Sequence, residues 1–325
     1  DARAVAARAP GSRDLWHRPS PRLLDPVVLA DFASQDCFSP SALEAYLTCP
    51  YAWFIERVLR IGDRDEGLDG RVIGELLHAA LSRAYEMLLG SDRSRPREED
   101  VPALMQVIGR FVDESLAREE CPGTPSDRRI ASWRVRNLAR TALLMDLARG
   151  GRLVCVQTEV PVGGAAGVDV GGLRLHGRID RIDTDPADGR LFVIDYKSGD
   201  IPAANNIGTE EAIQLPLYLL ALRAERPQTT LLGGAYMSPS KRRYSGLVVE
   251  DGVEAVGTVD GKAPSGYRVL PSTGLDELLA SACEVAKGAA AGMRAGAIAP
   301  LEHQACPQWC DLHPLCRVAK RRGHR

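Results

Sequence analysis

The chain has 325 residues, of which 45% are hydrophobic and 26% charged, with a formal net charge of -2. This is enough apolar material for one large domain or two small ones with a sizeable core, and it excludes a disordered composition. The charge balance excludes a bulk polycation, so any polyanion site must be a local basic patch, and no apolar run approaches the roughly 18 to 20 residues of a membrane span.

Residues 1–36 are rich in Arg, Ala and Pro and have little periodicity, as a linker would. They lack an initial Met and a leader-like pattern, so the chain is read as a cytoplasmic domain cut from something longer. Phe38-Ser39-Pro40-Ser41-Ala42-Leu43-Glu44 opens a helix. Ser39 can cap it with Pro40 at the first helical position, and Ser41 to Glu44 fits a capping box. Cys49-Pro50 closes it, because a proline disfavours helical backbone at the residue before it. Val72 to Tyr85 has helical periodicity, with Ile73, Leu76, Leu77, Ala80, Leu81 and Ala84 on the apolar face. His78 on this helix is, by itself, an ordinary packed or surface histidine. A further helix spans about Ala103 to Arg118 and is broken by Cys121-Pro122-Gly123. Beyond it, Arg128, Arg129, Arg134, Arg136 and Arg140 interleave with Ile130, Trp133 and Leu138. That face is either simply solvated or a contact to a nucleic-acid backbone, with Trp133 able to stack a base.

Leu153 to Val162 alternates as a strand and carries Glu159, a candidate outer carboxylate; Gly163 to Gly172 follows as a hairpin loop. Leu173 to Ile182 and Leu191 to Lys197 are then two strands joined by the turn Asp185-Pro186-Ala187-Asp188-Gly189. Strand side chains alternate, so Asp195 and Lys197 share a face and Tyr196 takes the other, and Asp180 reaches the same pocket if the strands pair. Two carboxylates and a lysine suit a divalent cation and a phosphodiester; the plain alternative is an ion pair at a sheet end. Glu210 to Ala224 is a Leu-rich helix, and Pro216 would cost about 3 kcal/mol in its interior, so it is relaxed there or starts near Ile213. Gln214 and Tyr218, four apart, share a face of it. A strand at Leu231 to Ser238 and a basic turn at Lys241 to Arg243 follow, residues 245–272 are glycine-rich and read as strands or an excursion near the active site, and Leu275 to Ala297 is helical. Eight cysteines are too dilute for a secreted disulfide framework. Three of them form Cys306-x3-Cys310-x5-Cys316 before a basic tail, a thiolate cluster suited to zinc or to iron and sulfur.

Asp180 followed after a hairpin by Asp195-Tyr196-Lys197-Ser198-Gly199 resembles the PD-(D/E)xK nuclease superfamily, in its RecB/AddB branch. Phe38-Ser39-Pro40-Ser41 through Cys49-Pro50-Tyr51 with Phe54, Gly74-x3-His78-x2-Leu81 and Gln214-x3-Tyr218 also resemble motifs of that branch. The resemblance covers about Phe38 to Cys316. It implies an α/β, restriction-endonuclease-like fold, a central mixed sheet flanked by helices, with an iron-sulfur clip joining the amino- and carboxyl-terminal parts. By the same resemblance Asp180, Asp195, Lys197, Gln214 and Tyr218 are catalytic, and His78, Asp180 and Asp195 hold magnesium or manganese. Cys49, Cys306, Cys310 and Cys316 would hold a 4Fe-4S cluster, zinc being the competitor. Three residues separate Cys306 from Cys310 where the family usually has two. Trp133, Arg134 and Arg136 are candidate DNA contacts.

The implied activity is a metal-dependent deoxyribonuclease acting on DNA with single-stranded character, as the nuclease part of a helicase-nuclease in recombinational repair. A catalytically silent DNA-end-binding module and an iron-sulfur exonuclease of the CRISPR-adaptation type are the alternatives. No Gly-x4-Gly-Lys-Ser/Thr loop occurs, so an ATP-driven motor is expected on a partner helicase domain or subunit. The expected organisation is a linker at 1–36, a nuclease domain at 37–318 and a basic tail at 319–325.

Overall fold

The computed structural model describes residues 22–60, 68, 70–91, 93–118, 121–300, 310 and 312–316. In chain order the elements begin with α1 (Pro26–Ser34), β1 (Cys37–Phe38), α2 (Pro40–Thr48), α3 (Pro50–Trp53), α4 (Gly70–Leu89), α5 (Val101–Leu116) and α6 (Pro125–Ala148). Strands β2 (Val154–Val162), β3 (Val168–Val170), β4 (Leu173–Leu175), β5 (Gly177–Thr184) and β6 (Leu191–Tyr196) follow. The remainder is α7 (Gln214–Glu225), β7 (Leu231–Ser238), β8 (Arg243–Val249), α8 (Val253–Val256), β9 (Tyr267–Leu270), α9 (Ser272–Arg294) and α10 (His313–Cys316). The chain divides into two units, one of residues 36–44 and 64–287, the other of residues 1–35, 45–63 and 288–325.

In the larger unit the main sheet has the order β2-β5-β6-β7-β8-β9. All six residues of β6 are buried, which is why its sequence is a continuous apolar run rather than an alternating one. It pairs antiparallel with β5 and parallel with β7, and the parallel step is made possible by the crossover that contains α7. Pro216 is the third residue of α7, in the first turn, where no intrahelical partner for its missing N–H is needed. The stretch 245–272, expected as strands or an excursion, supplies most of β8, then α8 and β9, the last parallel to β8. The apolar stripe of α4 (Ile73, Leu77, Ala80, Leu81 and Ala84) is buried, as are Leu104, Ile108 and Val112 of α5 at four-residue spacing.

One expected strand divides. Leu173 to Ile182 is not continuous: β4 pairs with β3 and, in parallel, with β1, and the chain joins the main sheet only at Gly177. His176 N–H donates to Phe38 O at the switch, and a Cβ on Gly177 would stand 3.2 Å from the Tyr218 ring. The loop expected at 163–172 contains β3 because Gly171 and Gly172 both adopt positive φ, 59° and 88°, and close a two-residue hairpin onto β4.

In the smaller unit residues 26–34, expected to be linker, form α1. Asp25 caps it by accepting from Val27 N–H and Val28 N–H at 2.9 and 3.1 Å, Pro26 starts it, and Phe32 is buried edge-on against Trp53. Tyr46 packs on the other side of this aromatic group, 5.3 Å from the Trp53 ring, and its hydroxyl donates to Ala297 O. Cys49 is extended, as the following proline requires, and its sulfur accepts from Ala52 N–H. Cys316 is buried with Tyr51 and Ile55, and Cys49, Phe54 and Leu312 pack against that group. Cys306 and the basic tail lie outside the described residues.

Candidate active site

The site forms where β5 and β6 end together. Their register places Arg181 opposite Ile194, so Asp180 and Asp195 fall at the next step. Asp180 uses both oxygens: Oδ2 accepts from Tyr196 N–H at 2.7 Å, and Oδ1 lies 3.1 Å from Nδ1 of His78, brought in by α4. The His78 ring stands edge-on to Tyr196, 5.9 Å between centroids.

Asp195 is 2% exposed. Its Oδ1 accepts from Gln214 Nε2 at 3.1 Å, and its Oδ2 lies 2.9 Å from Lys197 Nζ, off the line of a hydrogen bond. Lys197 Nζ donates to Gln214 Oε1 at 2.7 Å, so both ends of the Gln214 amide are held by opposite charges. Gln214 is placed in turn by Glu44 of α2, whose Oε2 accepts from Gln214 N–H at 2.8 Å; this is where the glutamate expected in a capping box is engaged. Tyr236 of β7 accepts from Leu215 N–H and lies under Lys197 Nζ, 5.4 Å from its ring centroid. Tyr218, one turn along α7, is 3.5 Å from Gln214 Nε2.

Glu159 of β2 completes the carboxylates. One ligand atom each of His78, Glu159 and Asp180 lie within 4.8 Å of one another, and Arg178 pairs with Glu159 at 2.6 Å. Glu159 holds φ 49°, left-handed backbone inside a strand whose neighbours Thr158 and Val160 remain paired. A cavity of about 330 Å³ opens on this side, lined by His78, Glu159, Arg178, Arg83 and Phe111 among others.

Proton affinities follow from burial and neighbours. Burial, opposed by Lys197 and aided by Asp180, pushes the Asp195 carboxyl up to about 6. Burial pulls the His78 imidazole down, but the charge and hydrogen bond of Asp180 outweigh it and hold His78 above its ordinary value. Lys197 is likewise kept above its ordinary value against burial, by Asp195 first and then by Glu44 and Asp180. Burial and the Asp180 charge raise Glu159.

A family model for the PD-(D/E)XK nuclease superfamily matches residues 37–317. The chain belongs to that superfamily. It is also similar to bacterial proteins named as one of the subunits of an ATP-dependent helicase/deoxyribonuclease. The relative from Desulforudis audaxviator is 28% identical over 373 aligned positions, 95% of this chain and 32% of the relative. Those from Enterococcus faecalis and Symbiobacterium thermophilum are 29% and 32% identical, over 57% and 67% of this chain and 17% and 20% of their own length. The chain thus spans about a third or less of these relatives.

The six superfamily positions expected at the site meet there: His78, Asp180, Asp195, Lys197, Gln214 and Tyr218. Glu159, expected only as an outer carboxylate, stands as close to His78 and Asp180 as a ligand would. The expected DNA contacts do not behave alike. Trp133 is 68% exposed on α6 and Arg134 is exposed beside it. Arg136 is instead a helix tether: it pairs with Asp113 at 2.6 Å and donates to Gly109 O at 3.0 Å, in a notch that exists because Gly109 has no side chain.

Proposed function

We propose that this chain is a divalent-metal-dependent deoxyribonuclease, the nuclease part of a helicase-nuclease used in recombinational DNA repair. The observation that carries it is the Asp195, Lys197 and Gln214 constellation beside Asp180 and His78, with the buried Asp195 Oδ2 ion-paired to Lys197 at 2.9 Å. An imidazole and several hard carboxylate oxygens fit magnesium or manganese, which His78, Asp180 and Asp195 would hold with Glu159 adjacent. Such a metal supplies Lewis acidity and a hydroxide for attack on phosphorus. Lys197 orients the attacking water and offsets charge developing on the phosphoryl oxygens, and Gln214 holds its ammonium in place. The names of the relatives support DNA as substrate and a helicase as partner, and they favour this reading over a CRISPR-adaptation exonuclease. A silent end-binding module is disfavoured by an intact acidic pair and lysine.

Two finer parts belong to the same reading. Trp133 and Arg134 contact single-stranded DNA, without Arg136. Cys49, Cys306, Cys310 and Cys316 hold a 4Fe-4S cluster that clips residues 37–318 into one nuclease domain, with α1 packed on it through Phe32 and 319–325 outside it. Support for the clip is that Cys49 packs against the buried group containing Cys316. Zinc remains the competitor.

The deciding experiment incubates the chain with labelled single- and double-stranded DNA in magnesium, manganese or chelator, without ATP. Cleavage of single-stranded DNA in either metal, absent in chelator and in Asp195→Ala, is expected. Full activity of Asp195→Ala, or of the parent in chelator, overturns the assignment. Brown colour and iron in anaerobically purified protein, lost in Cys49→Ser, test the clip; a colourless protein with zinc alone rejects iron and sulfur.

A further inference from the structure

Helix α7 begins without a cap of its own. The residue before its first turn is Ile213, whose side chain has no acceptor, and no side-chain bond caps the helix locally. The first N–H groups of a helix have no partner in its own ladder and, where buried, must find one elsewhere. Here each is accounted for. Gln214 N–H donates to Glu44 Oε2 at 2.8 Å and Leu215 N–H to the Tyr236 hydroxyl at 3.0 Å. Pro216 has no N–H, and Leu217 N–H enters the ladder on Ile213 O at 3.0 Å. Both outside acceptors come from elements distant in sequence, α2 and β7.

Glu44 is itself fixed within the larger unit. Cys37 and Phe38 of β1 pair in parallel with Arg174 and Leu175, and Phe38 and Leu43 are buried. Ser39 starts the helix that carries Glu44, its Oγ accepting from Ala42 N–H at 3.2 Å. The glutamate therefore stands on a held segment rather than a free loop. What it holds in turn is the backbone from which the buried Gln214 side chain departs, whose amide bridges the site, Oε1 on Lys197 and Nε2 on Asp195. Glutamine has several rotatable bonds and much rotamer freedom to lose, so two short bonds at its end keep their aim only if its backbone does not move.

We propose that Glu44 is a positioning residue for phosphodiester cleavage: its carboxylate oxygen sets the Gln214 amide, and through it the separation and aim of Lys197 and Asp195. The inference rests on the nuclease reading of this site. The geometry asks for an acceptor of the right reach, so length matters more than charge. Glutamine offers the same reach with an amide oxygen, whereas aspartate keeps the charge and draws it back by one methylene.

The test compares Glu44→Gln, Glu44→Asp and Glu44→Ala in the intact chain, by steady-state cleavage of labelled single-stranded DNA at saturating magnesium or manganese. Glu44→Asp and Glu44→Ala lose about 10- to 100-fold in kcat, the scale of a misplaced reacting group, with KM for DNA unchanged. Glu44→Gln retains kcat within about threefold of the parent, because its oxygen still accepts from Gln214 N–H. Should Glu44→Ala fail to fold, the Gln and Asp variants carry the comparison. Activity retained in Asp but lost in Gln assigns the effect to charge and overturns the proposal. So does a fall in melting temperature of Asp and Ala with kcat per folded molecule at the parent's level, the result of a helix cap with no part in the reaction. In EDTA, nuclear relaxation of the Gln214 side-chain amide gives a reading without cleavage: rigid in the parent and Glu44→Gln, mobile in Glu44→Asp and Glu44→Ala. Equal rigidity in all four overturns the role of Glu44 even if the parent cuts DNA. A parent that cuts in neither metal overturns the nuclease reading instead, and the relaxation result then decides whether Glu44 sets the Gln214 amide.

Discussion

Adjacent residues of β5 enter two buried ionic clusters that differ in kind. Asp180 joins the site with His78, Glu159, Asp195 and Lys197, whereas Arg181, fully buried, joins Asp183, Asp146 and Arg149. In the second cluster Arg181 gives both Nε and Nη2 to Asp183, at 2.5 and 2.9 Å, and Nη1 to Asp146 at 2.9 Å. Tyr85 adds a hydrogen bond to Asp146 at 2.6 Å and places its ring under the Arg181 guanidinium. The Arg181 guanidinium itself is forked and matched by carboxylates, as in a structural group, although Asp146 Oδ1 and two Arg149 nitrogens beside it have no hydrogen bond. In the first cluster carboxylates crowd together, and the cations are a lysine, a histidine and the largely exposed Arg178. Crowded carboxylates whose proton affinities burial raises, Asp195 and Glu159, mark the first cluster as the place where a ligand acts.

Substitution should separate the clusters most sharply. Asp195→Asn is expected to abolish cleavage while the melting temperature at pH 8 stays level or rises, because the carboxylate is held in its charged form against burial. Arg181→Met should do the reverse of a catalytic lesion: stability falls by about 3 to 5 kcal/mol, since two buried aspartates are left with Arg149 as their one cation, and the fraction that stays folded should still cut. Denaturant titration beside a nuclease assay checks both. A stable Arg181→Met chain with no activity would erase the distinction.

Lys197→Ala comes next, with a rate loss of roughly 10²- to 10³-fold, as for removal of a preorganised charge-stabilising donor. Metal affinity, measured calorimetrically, should be retained.

The pH dependence of stability in chelator is a smaller effect. The folded Asp195 carboxyl titrates near 6, above its ordinary 3.8, so between these values the folded chain carries more protons than the unfolded one. Stability must therefore fall as pH rises from about 4 to 6, and the contribution is fully lost above that window. His78 has the same sign at higher pH: its raised folded affinity stabilises below 6.5 and fades as pH passes the folded value. Asp195→Asn should flatten the lower part of the profile in urea titrations. A difference between parent and Asp195→Asn that climbs from 4 to 6 would contradict the sign.

The smallest effect concerns α6. Arg134→Ala should reduce the salt slope of DNA binding by about one, the contribution of one phosphate contact, with cleavage chemistry unchanged. Arg136→Ala should instead lower stability through its lost pairing with Asp113 and Gly109.

The site was legible where local periodicity carries the geometry. Asp195 and Lys197 are two apart on a strand, Gln214 and Tyr218 four apart on a helix, and the structure keeps both relations. Arg181 was not legible, because its partner Asp146 lies on α6 and reaches it only through tertiary packing. The same limit explains α1: Asp25-Pro26 is a local start signal, but the helix is held by burial of Phe32 on Trp53, which no linear pattern reveals. The division of β4 from β5 escaped for another reason. Apolar residues recur through Leu173, Leu175 and Ile179, and a change of partner strand leaves that rhythm intact.

Glu159 shows how evolution can be set against itself at one position. Left-handed backbone in a non-glycine residue costs on the order of 1 to 3 kcal/mol, and glycine would remove that strain at once. Glycine would also remove the carboxylate that stands beside His78 and Asp180. Drift toward greater stability and the retention of chemistry therefore pull in opposite directions here. Under the proposed reading, Glu159→Gly would raise stability and remove chemistry in the same step.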